Sequence, residues 1–77
     1  MARVTFFTVQ SVDRRGKRLV TGQPRQFKTA EEALRVGRRQ AAISLGVVVL
    51  QVEGDPEFDD WSEPVVLETH GEVPEAA

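Results

Sequence analysis

The sequence predicts a single α+β domain: an antiparallel sheet of three to four strands, in the order β-β-α-β-β, with one helix packed on one face. Three observations predict it. A capped amphipathic segment stands in the middle of the chain, β-branched and aromatic runs flank it on both sides, and 77 residues leave room for one domain. A chain of this size buries about 60–65 % of the surface its unfolded form exposes. The core is therefore thin, and further support must come from tight packing, a partner or self-association.

Residues 3–12 read as the first strand. Val4, Phe6, Thr8, Gln10 and Val12 alternate with Thr5, Phe7, Val9 and Ser11, and no Gly or Pro interrupts them. Apolar groups on both faces predict an interior strand. Residues 13–17, Asp-Arg-Arg-Gly-Lys, form a turn signal, with Gly16 able to take positive φ. A second strand follows over residues 18–22. Pro24 keeps it from continuing as a central strand, because proline cannot donate to the ladder, so an edge or hairpin arm is expected.

The helix has the clearest local signature. Thr29-Ala30-Glu31-Glu32 is a capping box, with Thr29 at the N-cap and Glu32 three residues on. Glu31 and Glu32 also sit where the helix dipole favours acids. The spacing predicts a helix from Ala30 to about Leu45, stopping at Gly46. Ala30, Leu34, Gly37, Ala41 and Leu45 share one face, flanked by Ala33 and Ser44, and these mostly small side chains let the helix approach a sheet closely. Val36 and Ile43 fall about 160–180° from Leu34 by the same periodicity, where a sheet margin, a loop or a second subunit could meet them.

Residues 47–52, Val-Val-Val-Leu-Gln-Val, predict the most buried strand. An acidic loop over 55–64 holds Phe58 and Trp61, and residues 64–69 read as the last strand. The domain is expected over residues 1–70, with a tail over 71–77. A right-handed crossover through the helix sets the third strand parallel to the second and antiparallel to the first, giving the spatial order 2-1-3-4. The second face of that sheet stays open, which favours a homodimer.

Charge is unevenly distributed. Residues 1–39 hold ten bases and three acids, a net of +7; residues 40–77 hold nine acids and no base. Arg14, Arg15, Lys17 and Arg18 crowd one turn, and Arg35, Arg38 and Arg39 line the helix. These seven are the candidate contacts to nucleic acid or another anion. The acidic balance of the whole chain, with a pI near 5.3, opposes simple phosphate binding. Phe58, Trp61, Val36 and Ile43 are the candidate contacts to a protein partner; Trp61 suits either an interface anchor or a cap on the thin core.

No set of residues predicts catalysis. The chain has one histidine, His70, and no cysteine, so neither a disulfide framework nor the usual transition-metal ligand set is expected. As a base, His70 would have Glu68 or Glu72 for a partner. Counted from Asp55, the sixth and twelfth positions are Asp60 and Val66, where a calcium loop requires glycine and glutamate. Ser11, Ser44 and Ser62 lie in no nucleophile elbow, and the glycines lack phosphate-loop spacing. No cofactor is expected. The N-terminal residues lack the long apolar run of a signal peptide, and the longest apolar run, residues 47–50, is far short of a membrane span. A cytoplasmic location without membrane contact is therefore expected.

Two resemblances bear on this. Residues 26–33, Gln-Phe-Lys-Thr-Ala-Glu-Glu-Ala, following a basic hairpin, resemble the sheet end and helix start in arm-type DNA-binding domains of tyrosine recombinases. Those domains pack a three-stranded sheet on a helix. This chain departs from them by adding a strongly β run and an acidic end. Over most of its length it looks more like small uncharacterised bacterial single-domain proteins. These pair a two-strand start and one helix with a Gly-Val-Val-Val strand, and end in a segment like residues 66–74, Val-Leu-Glu-Thr-His-Gly-Glu-Val-Pro. That resemblance implies the fold and brings no activity. The expected function is a non-catalytic binding or accessory domain, self-associating or bound to an unidentified protein partner. The alternative is nucleic-acid binding through the basic turn and helix face.

Overall fold

In the computed structural model, which describes residues 3–73, six strands and one helix follow in order: β1 (Val4–Arg15), β2 (Arg18–Thr21), β3 (Arg25–Phe27), α1 (Ala30–Ala41), β4 (Gly46–Asp55), β5 (Asp60–Trp61) and β6 (Val65–Gly71). β1 and β4 form the antiparallel centre, in register from Val4 opposite Gly54 to Val12 opposite Gly46. β2 and β3 both pair with β1 on its outer side, and β5 and β6 both pair with β4. The curled sheet therefore has six segments in four columns. The expected order is met at that coarser level, while each outer column is split in two. Pro24 splits the first: β2 ends at Thr21, and β3, absent from the sequence-based expectation, rejoins β1 at Val9.

β1 runs three residues further than residues 3–12, because the turn contracts to Gly16 and Lys17 with Arg15 opposite Arg18. Gly16 has φ +62°, the positive value that a two-residue hairpin of this twist requires at its first central position. β4 likewise extends to Asp55, and Asp60 and Trp61 pair with its end inside what was expected to be an acidic loop. β6 continues through His70 to Gly71, so the first residue of the expected tail is strand. Residues 74–77 of that tail lie outside the described residues.

Thr29 caps α1 as the sequence predicts, its hydroxyl accepting from the Glu32 amide at 3.2 Å. The other end differs. The helix stops at Ala41, with the Ala42 and Ile43 amides donating three residues back to Arg39 and Gln40. Gly46 belongs to β4, and Leu45 lies outside the helix, half-exposed. The reason lies in the chain's far end. Gly71 (φ +64°) turns the chain so that the Glu72 amide donates to the Leu45 carbonyl at 3.1 Å, and the Glu72 backbone crosses the space where a Gly46 side chain would stand.

The buried centre is Val9, Ala33, Val47 and Val49, with Phe7, Phe27, Leu34, Val36, Ala41 and Leu67 packed around it. Val36 therefore faces the sheet margin, and the buried helix stripe is rotated towards Ala33 and Gly37 from the one centred on Leu34. Gly37 lets α1 come close: a Cβ there would stand 2.7 Å from Val49 Cγ2. Among the described residues no buried hydrophobic side chain is larger than valine. The core is as thin as the chain length implies.

Candidate functional site

The helix covers one face of the sheet, and register identifies what remains on the other. Side chains alternate along a strand, and directly opposed residues share a face. Val9, Ser11, Val47 and Val49 lie under α1. The opposite face therefore carries Val4, Phe6, Thr8, Gln10, Val12 and, at its end, Arg14 from β1, Val48, Leu50 and Val52 from β4, and Val66 and Thr69 from β6. Apart from Arg14, none of them is charged, in a chain with 29 % charged residues. Phe6, Val48, Leu50 and Val52 are half-buried, and Val66 is 57 % exposed.

Each end of this strip is closed by a different device. At one end Trp61 lies over Gly54, where a Cβ would meet ring atom Cδ2 at 2.8 Å, and its ring meets Phe6 edge-on with centroids 5.8 Å apart. The indole N–H donates to Asp59 Oδ1 at 3.0 Å. Trp61 thus folds back on the sheet as a cap while staying 42 % exposed. At the other end the chain crosses Gly46 through Glu72, whose carboxylate accepts from Arg14 Nη2 at 2.8 Å. Its neighbour across the ladder, Val12, is fully buried.

Among the described residues, opposite charges of the two halves meet at Arg3, Arg14 and Arg38. Arg3 reaches Glu53 at 3.3 Å and Asp60 at 3.9 Å; Arg14 reaches Glu72; Arg38 grips Glu68 through Nε (3.2 Å) and Nη2 (3.1 Å). His70 Nε2 lies 2.5 Å from the same Glu68 carboxylate. The hydrogen bonds from Arg38 and then His70 hold the Glu68 carboxyl below its usual range, and Glu68 in turn raises the Arg38 guanidinium. This cluster ties α1 to β6.

Of the seven candidate anion contacts, Arg14 and Arg38 are thus engaged by acids. Arg15, Lys17 and Arg18 remain at the exposed β1–β2 tip, and Arg35 and Arg39 on the outer face of α1, with no ion pair to a described residue. Of the candidate partner contacts, Phe58 (63 % exposed) and Ile43 (80 %) stand free in the β4–β5 loop and after α1, away from the strip. Trp61 borders the strip, and Val36, on α1, packs against the buried core. Phe6, Val48, Leu50, Val52 and Val66 were not singled out by sequence. Their alternation was legible, but only the β1–β4 register shows which half of each strand the helix leaves bare.

A small cavity of about 70 Å³ opens on the helix side at the other edge of the sheet from His70, lined by Val9, Ser11, Gln23, Arg25, Val36 and Gln40. Among the described residues no three histidine or acidic side chains converge as a metal site, and no helix is long and apolar enough to cross a membrane. No family model, curated protein or solved structure matches the chain.

Proposed function

We propose that the chain is a non-catalytic binding domain that self-associates, burying the uncovered face of its sheet against a second copy. One observation carries this: on the face opposite the helix, eight uncharged side chains across β1, β4 and β6 stay at least partly exposed, while Thr8 and Val12 are already buried. Depletion of charge marks the core of an interface more sharply than hydrophobicity does. A strip three strands wide and as long as β4 covers roughly 480 Å² by the usual strand spacings. Two such strips together give about 1,000 Å², the size of a weak, concentration-dependent contact. An uncharged strip meets its own copy without opposing like charges, which suits a two-fold contact. The thin valine core supplies the motive, since a second layer would bury Phe6, Leu50 and Val66 as well.

A non-catalytic role is supported by the commitments of the ionisable side chains. His70 and Glu68 are tied to each other and to Arg38, and the cavity lies on the opposite edge of the sheet. The nucleic-acid reading loses Arg14 and Arg38 to acids of the same chain, so the uncharged face is preferred.

Sedimentation velocity over a wide range of protein concentration, at low and at high salt, tests the proposal. A dimer whose affinity is retained at high salt is expected, because the contact is apolar. Val66→Glu puts a charge at an exposed position of the strip and should weaken association without reducing helix content. A strict monomer at millimolar concentration in both salts would overturn it.

A further inference from the structure

We infer that the cavity beside β3 is an oxyanion site, with Arg25 as its charged anchor. Its floor is apolar, formed by Val9 and Val36. Its other four lining residues, Ser11, Gln23, Arg25 and Gln40, carry hydrogen-bond donors, though the Gln40 amide already donates to Ser44 Oγ at 2.9 Å, and no carboxylate lines it. Arg25 stands opposite Val9 in the β1–β3 ladder, so its side chain starts on the helix side of the sheet, at the cavity mouth. The guanidinium stacks on the Phe27 ring at 5.5 Å and meets no acid among the described residues.

That lack of a partner sets Arg25 apart from Arg3, Arg14 and Arg38, each of which holds a carboxylate of this chain. A guanidinium held on an aromatic face keeps its N–H fork free for a planar or tetrahedral oxyanion. Charges of both signs surround it: Asp13 follows Ser11 on the same strand face, and Glu32 lies one turn before Val36 on α1. Lys28 follows β3, and Arg35 and Arg39 precede the two helix residues that line the cavity, again with no ion pair to a described residue. The cavity is open to solvent on one side, so it can take a small oxyanion group carried by a larger molecule. The ligand chemistry is therefore a phosphate or carboxylate group, whether free or at the end of a larger molecule. The cavity and the apolar strip lie on opposite faces, so this site stands or falls independently of self-association.

Titration of the ¹⁵N-labelled protein with sodium phosphate, and separately with sodium acetate, tests the site by NMR at matched ionic strength against sodium chloride. Saturable shifts are expected at the Ser11, Gln23, Arg25 and Gln40 amides. Saturation by phosphate alone identifies a tetrahedral ligand, and saturation by acetate a carboxylate. Arg25→Gln should weaken binding about tenfold, the loss expected for one charge-assisted hydrogen bond. Gln23→Ala should weaken it less, with circular dichroism confirming that both variants stay folded. Shifts that only track the chloride control, or saturation unchanged in Arg25→Gln, would overturn the assignment.

Discussion

Gly37 sets the distance between the helix and the sheet, and Gly37→Ala measures how rigid that contact is. Alone in a helix interior, the change would stabilise by about 1 kcal/mol, since glycine is that much poorer than alanine. Here the new Cβ would stand 2.7 Å from Val49 Cγ2, about 1 Å inside ordinary carbon–carbon contact. Val49 is fully buried and β-branched, so it cannot swing aside cheaply. Overpacking of this kind costs about 1–3 kcal/mol. The net expectation is a loss of about 1 kcal/mol, or roughly 4–8 °C in Tm for a domain of this length. Urea unfolding at fixed protein concentration, followed by circular dichroism and Trp61 fluorescence, reads it. Val49→Ala removes the obstructing methyl groups, and in that background Gly37→Ala should stabilise by about 1 kcal/mol, a coupling of about 2 kcal/mol between neighbours. If Gly37→Ala stabilised both backgrounds equally, Val49 would not be what keeps position 37 a glycine.

Three other outcomes follow from single contacts. Thr29→Ala should cost about 1 kcal/mol and Thr29→Ser little, as read by thermal melts, because only the hydroxyl accepts from the Glu32 amide. Gly46→Ala should cost about 2 kcal/mol or more, since its Cβ runs into the Glu72 backbone rather than a movable side chain, and hydrogen exchange should show the amides around Val12 losing protection. Glu68 holds its charge below the usual carboxylate pKa of 4.5, so its stabilisation is complete above that pH and drains away as pH falls through the lowered value. The Tm gap between wild type and Glu68→Gln should therefore be widest near neutrality and close on acidification below about pH 4.5.

Much of the fold was legible because its determinants are local. The hydroxyl of Thr29 and the acids after it specify a helix start wherever the chain goes. The β-branched run of β4 has few alternatives to a buried strand, and Pro24 interrupts an edge by its chemistry alone. The helix end was misjudged because Gly46 looks like a helix stop, while the residue that requires it to be glycine, Glu72, is 26 positions away in sequence. β5 escaped because two residues have no periodicity to read.

The sequence by itself determined the class of the domain, the centre of its sheet, the start of its helix and the split of its charge into two halves. Those properties depend on residues close together in the chain. The tertiary structure alone decided which charges cancel: it joined Arg3, Arg14 and Arg38 to Glu53, Glu72 and Glu68, and among the described residues it left Arg25 without an acid. It also decided which face of the sheet is bare. Alternation places Phe6 and Phe7 on opposite faces in any strand, but the face that receives the helix follows from packing Gly37 against Val49. That contact joins residues with no local reason to meet, and it leaves Phe6, Leu50 and Val66 on the surface opposite.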